Sequence, residues 1–136
     1  MRRILLVLLL CGAAHADTQQ ELERTAWLVW GVESSHQLSP PNGDGGRAVG
    51  PLQIWPIRVR DCNRICRLHH WPWRFTLADR RNLNESVRMF AVSCLHYWPD
   101  GTPEQWARHW NGSPTTGPSD PATLGYWQRC KQQRRQ

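Results

Sequence analysis

Glycine and proline divide this chain into pieces of helical length. Pro40-Pro41 and the cluster Asn42-Gly43-Asp44-Gly45-Gly46 stop any helix that precedes them and make a turn-rich loop. Pro56 and Pro103 each suit the first turn of a helix. Residues 69–75, with Trp71-Pro72-Trp73, read as an aromatic loop, and residues 111–118 as a Gly/Pro/Thr loop. Between these breaks the apolar residues recur at helical spacing, without convincing strand alternation or an internal repeat. The expected fold class is therefore mainly α: a single compact helical domain with long loops.

The helix boundaries follow from the same signals. A first helix is expected from Thr18 to Ser35 and a second from Pro56 to Leu68. Arg47 to Ile54, between them, is a short extended piece or an irregular crossing segment. Asn84 is read as the cap of a third helix reaching Tyr97, on the period of Val87, Phe90, Ala91, Cys94, Leu95 and Trp98. Thr102-Pro103-Glu104-Gln105 is a capping box, which starts a fourth helix ending near Trp110. Asp120-Pro121 starts a last helix, and the tail after Cys130 is expected to fray.

The first residues read as a secretory signal. Arg2 and Arg3 precede the apolar run Ile4 to Leu10, and Ala14-His15-Ala16 is a small-residue cleavage pattern. Residues 1–16 would be the signal peptide and residues 17–136 the exported domain; the competing reading, an uncleaved anchor, is disfavoured by the short apolar run and its flanks. Cleavage removes two arginines and Cys11, which takes the formal charge from +6 to +4. A basic exported protein favours an anionic partner, such as cell-wall polymer, a membrane surface or nucleic acid. No later segment is apolar enough to cross a bilayer as a helix.

Cys62, Cys66, Cys94 and Cys130 would remain. In an oxidising compartment four cysteines suggest two disulfides. Cys62 and Cys66 lie one helical turn apart, too far for a bridge between them. The expected pairings link them to Cys94 and Cys130, in one of two ways. Zinc, with His69 and His70 nearby, is the alternative, but the spacing lacks a C-x-x-C pair. Nine tryptophans are the other outlier. Some must be core, and a few could be flat platforms for sugar rings.

Leu22, Ala26, Val29 and Glu33 fall at i, i+4, i+7 and i+11, on one face of the first helix. A carboxylate ending an apolar stripe is costly unless paired or used. Burial raises its pKa and suits it to general-acid work. The competing reading is a helix-end glutamate paired with an arginine. His36, His69, His70, His96 and His109 show no catalytic spacing with a serine or cysteine.

Three segments carry a resemblance. They are Trp30-Gly31-Val32-Glu33-Ser34-Ser35, then Gly46-Arg47-Ala48-Val49-Gly50-Pro51-Leu52-Gln53-Ile54, then Ala107-Arg108-His109-Trp110-Asn111-Gly112. In this order they resemble the motifs of the lysozyme-like superfamily, especially its soluble lytic transglycosylase and goose-type lysozyme branch. There a helix-borne Glu-Ser is followed by a G-L-M-Q-[IV]-like segment and an A-Y-N-A-G-like segment. The resemblance implies a lysozyme-like fold with Glu33 as catalytic acid. It places Ser34, Gln53, Trp110 and Asn111 at a sugar cleft and brings Tyr126 to face the glutamate. Pro51 and Ser113 depart from the pattern.

The implied activity is cleavage of the bond between N-acetylmuramic acid and N-acetylglucosamine in peptidoglycan glycan strands. The protein would be an exported monomer, periplasmic or secreted, needing no cofactor, metal or nucleic acid. A hydrolase normally needs a second carboxylate, as nucleophile or as base for water. Asp44 could reach the cleft from its glycine-rich loop or could simply be a turn residue. Asp61 is expected to serve the second helix surface. A transglycosylase, by resemblance, needs no second protein carboxylate. Two other classes remain open. One is a non-catalytic glycan-binding module, and the other is a basic antimicrobial or nucleic-acid-binding protein, for which no motif speaks beyond composition.

Overall fold

The computed structural model describes residues 16–133. The expected signal peptide lies outside the described residues except for Ala16, as do the last three residues of the tail. The described residues form five α-helices: α1 (Ala16–Ser34), α2 (Pro56–His69), α3 (Leu83–Tyr97), α4 (Pro103–Asn111) and α5 (Leu124–Gln132). Short 3₁₀ turns stand between them. Among the described residues there is no strand, only two isolated β-bridges, Gly43 with Ala48 and Val49 with Ile54. No described helix is long and apolar enough to cross a membrane.

α3 lies at the centre. Val87, Met89, Phe90, Ala91, Val92 and Cys94 are all buried, so nearly its whole circumference faces protein. α2 packs on α3, while α1 packs on α3, α4 and α5. α1 contributes Leu22, Ala26 and Val29 to this core, on the stripe that ends at Glu33. α1 stops because Ser35 and His36 both take left-handed backbone (φ 54° and 60°). His70 ends α2 in the same way (φ 58°).

Three expectations need correction. The cap of α3 is Asn82, not Asn84. Its Oδ1 accepts the Glu85 N–H at 3.0 Å, and its backbone is extended, whereas Asn84 already lies inside the first helical turn. The last helix does not start at Asp120-Pro121. Asp120 instead caps a 3₁₀ turn over Pro121–Thr123, its Oδ1 accepting the Ala122 N–H at 2.9 Å, and α5 begins at Leu124. The expected disulfides are not seen among the described residues. Cys62, Cys66, Cys94 and Cys130 are all free and buried. They pack as small apolar side chains, and the Cys62 thiol donates to the Met89 carbonyl at 3.5 Å. Burial pushes the thiols of Cys62 and Cys130 up to about 12.

Candidate functional site

The segment between α1 and α2 is held from three sides. Ser34 Oγ, at the end of α1, donates to the Pro51 carbonyl at 2.8 Å. The buried Arg80 donates to the carbonyls of Arg47 and Ile54, each at 3.2 Å. Gly50 (φ 82°) lies against the Arg80 carbonyl, where a Cβ would collide with backbone. Gln53 Nε2 donates to the Gly50 carbonyl at 2.9 Å and to the Pro41 carbonyl at 3.3 Å. A Cβ on Gly43 would lie 2.5 Å from Gln53 Oε1, so the glycine makes room for that amide.

A groove of ≈ 390 Å³ opens beside this segment. Glu33 lines it from the end of α1, Asp44 and Gln53 from the loop, and Trp110 and Asn111 from the end of α4. Ser34 and Tyr126 are not among its lining residues. Ser34 is buried and braces the loop, and Tyr126 is buried behind the glutamate. The Tyr126 O–H donates to Glu33 Oε1 at 2.9 Å.

The electrostatics of Glu33 follow from this setting. Desolvation is the largest influence and lifts its pKa from 4.5 to about 7. The Tyr126 hydrogen bond opposes the rise, Asp44 adds to it, and Arg58 and Arg129 pull it down. The result is a carboxyl that can hold a proton near neutral pH and release it at modest cost.

No family model, curated protein or solved structure matches this chain. The case for a function therefore rests on the residues of the groove and their chemistry.

Asp44 is the other carboxylate among the lining residues. Its Oδ2 accepts the Trp55 indole N–H at 3.1 Å, and its backbone is left-handed (φ 50°), which aspartate tolerates in turns. Asp61 lies away from the groove lining. It pairs with Arg64 at 2.9 Å and accepts the Tyr97 O–H at 2.9 Å. Among the described residues no group of three or more His, Cys, Asp or Glu is placed to hold a metal ion.

Arg58 is a groove residue that the sequence reading passes over. It reaches in from the first turn of α2. It donates from Nη2 to the Trp110 carbonyl at 2.7 Å and stacks over the Trp110 ring at 4.1 Å. From Nη1 it donates to Ser93 Oγ at 3.4 Å. Ser93 and His109 share a 2.8 Å hydrogen bond at Nε2, and Nδ1 lies 2.9 Å from the Pro114 carbonyl. A carbonyl only accepts, so Nδ1 carries the proton and Ser93 donates to Nε2. Burial lowers the His109 pKa to about 4, which keeps the ring neutral. A buried chain of donors thus ties α2, α3 and α4 together behind the groove. A signal for it existed: Arg58, Cys62 and Ile65 fall at i, i+4 and i+7, the same charge-on-a-stripe pattern that singles out Glu33.

Proposed function

We propose that this chain is an exported peptidoglycan-cleaving glycosidase, with Glu33 as general acid and then general base. The observation that carries the reading is a glutamate raised to about 7 in a groove, under a tyrosine hydroxyl. The motif order and the basic charge of the exported domain add to it.

In this mechanism protonated Glu33 gives its proton to the glycosidic oxygen between N-acetylmuramic acid and N-acetylglucosamine as that bond breaks. An oxocarbenium-like centre develops on the muramyl ring. The Glu33 carboxylate then takes a proton from the incoming oxygen. If that oxygen is the muramyl ring's own hydroxyl, the product carries an anhydro end; if it is water, a reducing end. Asp44 is engaged by the Trp55 indole, and Glu33 has no other carboxylate beside it among the lining residues. That favours the intramolecular route, the lytic transglycosylase outcome, over lysozyme-type hydrolysis.

The test is digestion of purified peptidoglycan, with the products read by mass spectrometry. Anhydro-muramyl ends are the expected product. Reducing ends would make the enzyme a lysozyme. Unchanged cleavage by Glu33→Gln would sink the mechanism. Glycan binding without turnover, unaffected by the same substitution, would mark a binding module instead.

A further inference from the structure

Trp55 stands out among the nine tryptophans. It is 37% exposed, and neighbouring Ile57 is 64% exposed; both line the groove that holds Glu33. An exposed indole beside an exposed aliphatic side chain gives the groove wall an apolar patch that a ligand can cover.

The ring is also held in place. Its N–H is bonded to Asp44 Oδ2 at 3.1 Å, and the Arg47 guanidinium stands 5.4 Å from its centre. Its backbone follows directly on Ile54, which bridges to Val49, and leads into Pro56 at the start of α2. An indole fixed at both ends loses little freedom when a ligand packs on it. The groove wall around it offers polar groups suited to hydroxyl and acetamido substituents: Asp44, Gln53 and Asn111.

We infer that Trp55 and Ile57 form a stacking platform for an N-acetylhexosamine ring of the glycan strand, and that Asp44 positions the indole rather than reacting with the sugar. The inference rests on the proposed function and deepens it. Sugar rings present apolar C–H faces that match an indole in shape and polarity. It also gives Asp44 a role that needs no carboxylate chemistry.

The probe is soluble glycan strands freed of peptide, titrated at equilibrium into the full chain carrying Glu33→Gln, so that nothing is cut, and followed calorimetrically; the further substitutions are made in that background. Trp55→Ala is expected to weaken binding by roughly tenfold or more, and Trp55→Phe by much less. Asp44→Asn, whose amide oxygen can still accept the indole N–H, is expected to bind between the Glu33→Gln parent and Trp55→Ala. A second measurement needs no variant. Saturating glycan should protect Trp55 from oxidation by N-bromosuccinimide, read by peptide mass spectrometry.

Binding left equal by Trp55→Ala, or oxidation of Trp55 undiminished by glycan, overturns the platform while leaving the glycosidase reading intact. Loss of kcat in Asp44→Asn alone, with affinity intact, makes Asp44 a reacting carboxylate and overturns the positioning role. A wild-type protein that neither binds nor cuts glycan overturns both readings.

Discussion

Replacing Glu33 with glutamine should stabilise the protein at alkaline pH while abolishing the proposed glycan cleavage. The carboxyl has a pKa of about 7 in the fold against an ordinary value of 4.5. Between those values the folded protein keeps the proton and the unfolded chain has released it. Folding stability therefore falls as pH rises through that window, and the full loss is present above it. At about 1.4 kcal/mol per unit, the loss comes to about 3 kcal/mol. Glutamine never ionises, and its carbonyl can still accept the Tyr126 hydroxyl, so the variant escapes the loss. At pH 8 it should be about 3 kcal/mol more stable than wild type, and at pH 4 equal within roughly 0.5 kcal/mol. Urea unfolding at the two pH values measures this. With a slope of about 2 kcal/mol/M, the midpoints at pH 8 should differ by about 1.5 M and those at pH 4 should nearly coincide. Midpoints that also coincide at pH 8 would show that Glu33 is not desolvated. The case for it as a general acid would go with that result.

Three further outcomes follow from the same geometry. Tyr126→Phe removes a donor to the carboxylate, so Glu33 should titrate higher still, by up to roughly one unit; carboxyl NMR reads this, and a downward shift refutes it. His109 titrates near 4 in the fold against 6.5 ordinarily, so the unfolded chain gains a proton first as pH falls. Its contribution of about 3 kcal/mol is present above 6.5 and lost towards 4. In wild type Glu33 masks that loss, because its own gain runs the opposite way over nearly the same range, whereas Glu33→Gln should show it openly in urea unfolding. Finally, a protein of residues 17–136 should show four thiols to a thiol reagent only after denaturation, and a reductant should leave its melting temperature unchanged. A drop of about 2–5 kcal/mol on reduction would reveal disulfides after all.

Where a local signal decided a local structure, the sequence was legible. The Thr102 capping box appears with both its hydrogen bonds, Gln105 N–H to Thr102 Oγ1 at 3.2 Å and Thr102 N–H to Gln105 Oε1 at 3.0 Å. The α1 stripe leads to a partly buried Glu33, and the mainly helical class follows from the periodicity. Asn82 and Asn84 could both cap a helix, and a two-residue choice depends on backbone angles that composition does not encode. The cysteines look alike in sequence whether bonded or packed, since burial suits either state. Arg58 carried a stripe signal, but its role depends on Ser93 and Trp110, which lie 35 or more residues away and meet it only through the packing of three helices. Gln53 shows the reverse: its amide lines the groove and also braces the loop, two roles that no motif separates.

Among the described residues five non-glycine positions hold left-handed backbone, and four of them, Ser35, His36, Asp44 and Gln53, flank or belong to the groove wall. Each such conformation costs on the order of 1–3 kcal/mol and persists only while its neighbours enforce it. A wall made this way has no shallow path of deformation. Release of the Ser34 or Arg80 bonds would let several residues relax at once, so the rim should come undone as one unit. Amide hydrogens of residues 43–54 should accordingly exchange together, with a common opening free energy below that of α3. The groove would then be a two-position part rather than a soft one: assembled with its indole and amide in register, or absent.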